Sequence, residues 1–196
     1  MGTWQPSLLD VAGVGFDPEL RHALRLDLGS GAWVDEVQGW VQGSAALFDT
    51  VLAEAPWAEH ERMMYDRMVV EPRLTTRLWS EPPPIVTEMA AALGARYGCD
   101  LSTVSANLYR DGRDSVAWHG DRVGRRRGQT VVAILSLGHP RRFLLRPVTG
   151  GRSLRFVPAS GDLMVLCGTI QRTWQHCIPK VARAGPRISV MFREEY

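Results

Sequence analysis

Lysine is almost missing from this 196-residue chain: Lys180 stands alone, so nearly all of the 23 basic side chains are arginine. Cysteine is scarce too. Cys99, Cys167 and Cys177 contain no Cys-x-x-Cys pair, which speaks against a disulfide framework and for a reducing, cytoplasmic setting. No apolar run reaches the roughly eighteen residues that a membrane-spanning helix needs. The N-terminus carries Asp10 and Asp17 where an export signal would have a basic segment and then an apolar one. Internal repeats and low-complexity linkers are also missing. What these absences leave is a soluble single domain, expected to be monomeric, spanning residues 1–196 and long enough to bury a sizeable core.

Charge is unevenly placed along that domain. Residues 1–100 hold 7 basic and 15 acidic side chains, whereas residues 101–196 hold 16 basic and 6 acidic, within a net charge of only +2. Arg122, Arg125, Arg126, Arg127, Arg141 and Arg142 cluster in the basic half. Such a cluster suits phosphate binding, and a merely solvated loop fits the same residues.

Periodicity changes along the chain in the same sense. Residues 44–55 read as a helix with Ser44 as its N-cap and Leu47, Val51 and Leu52 on one side. Residues 85–97, after Pro82-Pro83-Pro84 and ended by Gly98, read as a second helix. Beyond residue 100 the segments 105–110, 129–137, 142–146, 153–157, 162–167 and 187–193 are short, β-prone and punctuated by Gly or Pro. Helices first and strands later predict an α+β chain with an all-β core over about 101–196 and an N-terminal extension over about 1–100.

The chemistry concentrates in the strand-rich half. In extended backbone, residues two apart share a side, so His119 and Asp121 can hold one ion with only Gly120 between them. His176 from another strand completes a two-His, one-carboxylate set, the facial arrangement of non-haem Fe(II), which leaves open positions for oxygen chemistry. Arg187 to Arg193 reads as a strand with Ile188, Val190 and Phe192 on its apolar face and an arginine at each end of the other. Two guanidinium forks on one face suit a small dicarboxylate. Asn107 and Tyr109 likewise share a face, with Leu108 turned away. Trp118 should point opposite to His119 and pack beneath it, Cys177 should face away from the site, and Trp174 has the parity of His176. His22, His60 and His139 lack a partner at ligand spacing.

Pro72-Arg73-Leu74-Thr75, Asn107-x-Tyr109, Trp118-His119-x-Asp121, Ser136-Leu137-Gly138, Gly161-Asp162-Leu163-Met164, His176 and Arg187-x5-Arg193, in this order, resemble the AlkB family of Fe(II)- and 2-oxoglutarate-dependent dioxygenases. The resemblance implies a double-stranded β-helix (jelly-roll) core with N-terminal helices packed on it. It implies Fe(II) held by His119, Asp121 and His176, and 2-oxoglutarate held by Asn107, Tyr109, Arg187, Ser189 and Arg193, with O2 as oxidant. The implied reaction is oxidative demethylation of alkylated bases such as 1-methyladenine and 3-methylcytosine in DNA. Demethylation of RNA or protein, or nucleic-acid binding without turnover, are the alternatives.

Residues 63–79 resemble the family's nucleotide-recognition lid. Tyr65 and Trp79 then offer stacking faces, and Arg73 and Arg77, with Arg125, Arg126 and Arg127, offer phosphate contacts. Two departures stand out. Val123 occupies a position that is acidic in several AlkB proteins, and Ser189 and Met191 stand where Asn and Thr are common.

Overall fold

Residues 13–64, 67–121 and 128–194 are described in the computed structural model of the chain. Four short strands come first: β1 (Gly15–Phe16), β2 (Leu24–Gly29), β3 (Ala32–Val37) and β4 (Val41–Gln42). Helix α1 (Ser44–Glu54) follows, then a hairpin of β5 (Glu61–Met64) and β6 (Arg67–Val70), the brief β7 (Leu74–Thr75) and helix α2 (Pro84–Tyr97). Strands dominate the rest: β8 (Thr103–Tyr109), β9 (Val116–His119), β10 (Thr130–Gly138), β11 (Phe143–Pro147), β12 (Leu154–Phe156) and β13 (Leu163–Gly168). A single-turn helix, α3 (Ile170–Thr173), leads into β14 (Trp174–Ile178), and β15 (Arg187–Arg193) closes the order.

Side-chain alternation explains how these strands are layered. Seven of them, in the order β2-β3-β13-β10-β15-β8-β7, form one antiparallel sheet, and β12-β11-β14-β9 form a second. On the larger sheet, Val104, Ala106 and Leu108, Ala133, Leu135 and Leu137, and Ile188, Val190 and Phe192 bury one face against Leu47 and Val51 of α1 and Val86, Met89 and Leu93 of α2. The alternate residues Tyr109, Val132, Ile134, Met164, Leu166 and Met191 form a second core with Phe143, Leu145, Phe156 and Ile178 of the smaller sheet. Period-two strands thus feed two cores at once. The layers are helices, seven-stranded sheet and four-stranded sheet, and the inward polar residues of the two sheets meet between the last two.

Local chemistry sets the helix ends. Pro84 opens α2, where its missing N–H is no loss, and Gly98 closes it in the left-handed region at φ 68°. Helix α1 differs from expectation at its start, because Gly43, at φ 67°, is the cap and Ser44 is already helical. The Ser44 hydroxyl instead accepts a hydrogen bond from Ser160 at 3.0 Å. Leu47 and Val51 are buried as expected, but Leu52 is 38% exposed and faces outward.

The division of the chain into an N-terminal extension and a β core needs correction. β3 pairs along its whole length with β13, from Ala32 opposite Gly168 to Val37 opposite Leu163, and β2 forms the outer edge beside it. Residues 24–37 are therefore part of the major sheet. Among the described residues, no helix is long and apolar enough to cross a membrane.

Candidate metal centre

Two neighbouring strands of the smaller sheet bring the imidazoles together. β14 pairs antiparallel with β9 so that His176 lies opposite His119, with an irregular step between His176 and Ile178. Their ring centroids are 4.2 Å apart. Asp121, just past the end of β9, places Oδ1 3.9 Å from His119 Nε2. One ligand atom from each of His119, Asp121 and His176 lies within 4.8 Å of the others. His119 Nδ1 sits 2.8 Å from the Ala117 carbonyl, and a carbonyl only accepts, so Nδ1 is the donor there and Nε2 is the nitrogen turned towards Asp121. The Phe143 ring stacks on His176 at 5.2 Å and steadies it from the other side.

Electrostatics favour the ligating protonation states. Burial pushes the His176 pKa down to about 4, and His119 beside it acts in the same direction. Burial works against the Asp121 carboxylate, but the basic groups around it, His176, Arg193, His119 and Arg73, outweigh that effect and hold its pKa below the ordinary value. A neutral imidazole and an ionised carboxylate at neutral pH are what a hard divalent cation needs.

The seven-stranded sheet supplies the opposite wall. In β15 the residues alternating with the core face are Arg187, Ser189, Met191 and Arg193, and Arg187 pairs with Tyr109 and Ser189 with Asn107 of β8. Arg187 is 1% exposed. Its Nη2 donates to Ser136 Oγ at 2.9 Å and its Nη1 to Ser189 Oγ at 3.3 Å, while Nε has no partner among the described residues. The guanidinium lies 5.5 Å from the Tyr109 ring centroid. Burial lowers its pKa to about 10. Among the described residues no carboxylate pairs with it, so its hydrogen-bond partners are neutral hydroxyls. Arg193 Nη2 donates to Ser105 Oγ.

Asn107 is fixed from two sides: its Oδ1 accepts from Arg73 Nε at 3.2 Å, and its Nδ2 lies 3.3 Å from Met191 Sδ. A first-row ion bound by nitrogen and oxygen makes bonds of roughly 2.0–2.2 Å, so three donors within 4.8 Å of one another are near enough to share one ion. A buried guanidinium without a counter-charge fits a carboxylate ligand in the same way. His119, Asp121 and His176 would hold the metal, and Arg187 would face the diacid.

Several residues stand elsewhere than the sequence suggested. Trp79 is 4% exposed and belongs to the core under the helices, so it offers no free stacking face. Arg73 is not an outer-surface phosphate contact. Its guanidinium pairs with Glu71 at 2.9 Å and bonds Asn107, inside the site wall. Arg141 is 2% exposed and donates to the carbonyls of Asp111, Asp114 and Pro179, so it braces a loop. Arg77 is exposed, with φ 54°.

Tyr65, Val123, Arg125, Arg126 and Arg127 lie outside the described residues. Trp118 has the Arg146 guanidinium 4.1 Å above its ring, and Trp174 packs at the margin of the core between the sheets. Cys177 is buried with its pKa raised to about 11 by that burial. Sequence reading gave no role to Ser136, Ser105 or Gln171, although Ser136 stands in one of the motifs above. Their roles rest on partners 51, 88 and 50 positions away, and no local pattern announces such pairings.

The sequence profile of the 2OG-Fe(II) oxygenase superfamily matches residues 41–193, which takes in the whole of the site described above. The chain is similar to alpha-ketoglutarate-dependent dioxygenase alkB homolog 3 of Bos taurus, 27% identical over 175 residues that cover 77% of this chain and 61% of that protein. It is also similar to DNA oxidative demethylase ALKBH2 of Arabidopsis thaliana, 25% identical over 213 residues, 86% of this chain and 68% of that protein. The chain thus spans about three fifths of the length of the alkB homolog 3 protein. Among solved structures, a prolyl hydroxylase in complex with a hypoxia inducible factor peptide fragment, from Trichoplax adhaerens, matches with TM-score 0.59 at 11% identity, covering 82% of this chain and 83% of that one. That last likeness is one of fold.

Proposed function

The chain belongs to the 2OG-Fe(II) oxygenase superfamily, among its AlkB members, and on that footing we propose that it demethylates alkylated nucleobases by oxidation, consuming O2 and 2-oxoglutarate. The observation that carries this reading is the two-walled site: three metal-type donors within 4.8 Å of one another on one side, and on the other a buried Arg187 with no counter-charge among the described residues. The finer class of the fold belongs to the same reading, with the two facing sheets as the walls of a double-stranded β-helix.

Iron, when bound, supplies the oxidation of the N-methyl carbon by O2, coupled to conversion of 2-oxoglutarate to succinate and CO2. The hydroxymethyl product then loses formaldehyde: its C–N bond breaks, the ring nitrogen keeps the electron pair, and the hydroxyl proton is released. The side chains have simpler tasks. His119 Nε2, the Asp121 carboxylate and His176 would hold the ion. Arg187, its guanidinium held in place by Ser136 and Ser189, would receive one carboxylate of the diacid, with Asn107, Tyr109 and Arg193 on the same face of the sheet. Phe143 and the apolar residues between the sheets exclude water from the reacting centre.

The substrate we favour is DNA carrying 1-methyladenine or 3-methylcytosine. The basic excess of residues 101–196 supports a polyanion, and the Arabidopsis relative is a DNA oxidative demethylase by name. The hairpin β5–β6 with Tyr65, together with Arg77 and Arg125 to Arg127, is the proposed contact region for a flipped base and its phosphates. The second reading keeps the chemistry and changes the substrate to RNA or protein, and a non-catalytic nucleic-acid binder is the third. Iron-loaded protein incubated with 2-oxoglutarate and methylated DNA, RNA or peptide separates them: formaldehyde should appear with methylated DNA. Formaldehyde from RNA or peptide alone would move the substrate, and binding without formaldehyde from any of them would leave only the non-catalytic reading.

A further inference from the structure

The turn that carries the metal motif is held by a residue from outside it. Gln171, on α3, accepts a hydrogen bond from the Asp121 backbone N–H at 2.8 Å through its Oε1. Its side chain is deeply buried, 7% exposed for the residue as a whole. The same residue's carbonyl closes over Gly120: a Cβ built there would come within 2.6 Å of Gln171 O and 3.5 Å of Trp174 O. Gly120 is therefore required by this packing, and the spacing of His119 and Asp121 is tied to α3 through both the main chain and the side chain of Gln171. Helix α3 runs directly into β14, which carries His176. One residue thus couples the His119-Gly120-Asp121 turn to the strand that supplies the third ligand.

The orientation of the amide is fixed, because only its oxygen can face the Asp121 N–H. That leaves Nε2 as a buried donor with no partner among the described residues. A protein rarely buries an amide donor with nothing to bind. We propose that Gln171 is the positioning residue of the metal site: its Oε1 locks Asp121 in the ligating position, and its spare N–H serves an oxygen acceptor that comes into place when the site fills. It does not itself bind the metal. The inference rests on the metal-binding reading above and extends it to a residue outside the ligand set.

Cobalt(II) provides a probe that reports geometry as well as affinity, through its visible absorption, without turnover. Gln171→Met keeps the length of the side chain but loses the acceptor and the donor. Gln171→Glu keeps the acceptor for the Asp121 N–H. Removing an outer support of this kind weakens metal binding by roughly 10- to 100-fold. The expected result is that the Met variant loses that much Co(II) affinity and changes the absorption band, and that the Glu variant restores most of the affinity whatever stability either loses. Gly120→Ala, which pushes the turn off α3, should repeat the Met result and serves in its place if the Met variant does not fold.

Unchanged affinity and spectrum in the Met variant, or in Gly120→Ala where that replaces it, would overturn the proposal. Equal losses in Met and Glu accompanied by lower metal-free stability would overturn it too, since they would make Gln171 a general packing residue. If folded wild-type protein failed to bind Co(II), the metal reading itself would fall, which is a separate outcome from either of these.

Discussion

At the scale of single residues, the site divides its work between donors on one sheet and a cation on the other, and the two halves fail differently. Replacing His119, Asp121 or His176 with Ala should abolish metal binding with little change in the fold, because each removes one of three donors; equilibrium dialysis against Fe(II) or Co(II) checks this. Arg187→Met should leave metal binding intact and raise the 2-oxoglutarate needed for half-saturation by about two orders of magnitude, the result of unpairing a buried carboxylate. An unchanged requirement with lower stability would make Arg187 a structural arginine. Acid should act through His176 in the metal-free protein. Its pKa is about 4 when folded against an ordinary 6.5, so between those values the unfolded chain binds the extra proton, and stability is complete above the higher value and is lost as pH falls towards the lower. Urea unfolding should show a loss of about 2 kcal/mol from this group between neutral pH and about pH 5, and His176→Gln should remove that share.

The ligand residues were legible because strand parity is a local rule: two apart means one side. Ser136, Ser105 and Gln171 were illegible because their partners come from distant strands. Trp79 proved to be core because an aromatic two residues from an arginine looks the same in sequence whether it stacks on a ligand or fills a core.

Among the elements, β15 was read with the boundaries it has, residues 187–193, because an apolar face of Ile188, Val190 and Phe192 alternating with arginines has one solution against a helical layer. Helix α2 was also legible, from its Pro start and Gly stop. The strands β2 and β3 were not. β2 is an edge strand whose residues are mostly exposed, so it lacks a clean alternation, and β3 finds its partner β13 more than a hundred residues later. A sheet closed by such long-range pairing leaves little trace in either segment alone. The packing of α2 on the major sheet is open to a direct check. Leu93, fully buried there, should cost about 2–5 kcal/mol when replaced by Ala. Leu52→Ala on α1, at a side chain 38% exposed, should stay within about 0.5 kcal/mol. Comparable losses at both positions in denaturant unfolding would contradict the assignment of faces.

Over the whole molecule, an acidic first hundred residues precede a basic remainder, and the cleft between the sheets takes most of its lining from the basic part. Oligonucleotide binding should therefore weaken steeply with salt, by about 0.7–0.9 in log-log slope for each phosphate contacted. Neutralising Arg125, Arg126 and Arg127 together should flatten that slope by roughly two to three units without altering 2-oxoglutarate affinity. A flat wild-type slope would argue against a nucleic-acid partner, and an unchanged slope in the triple variant would move the contact to Arg77 and Arg142. The central claim is that this cleft couples 2-oxoglutarate oxidation to removal of a methyl group from a base. The most direct measurement is single-turnover incubation of Fe(II)-loaded protein with 2-oxoglutarate, O2 and an oligonucleotide bearing one 1-methyladenine, following formaldehyde and the mass of the DNA together. Equal amounts of formaldehyde and unmethylated product from the wild type, and neither from His176→Ala, are the results expected. Wild-type protein that binds iron and 2-oxoglutarate yet releases no formaldehyde from methylated DNA or from a matching RNA would contradict the account.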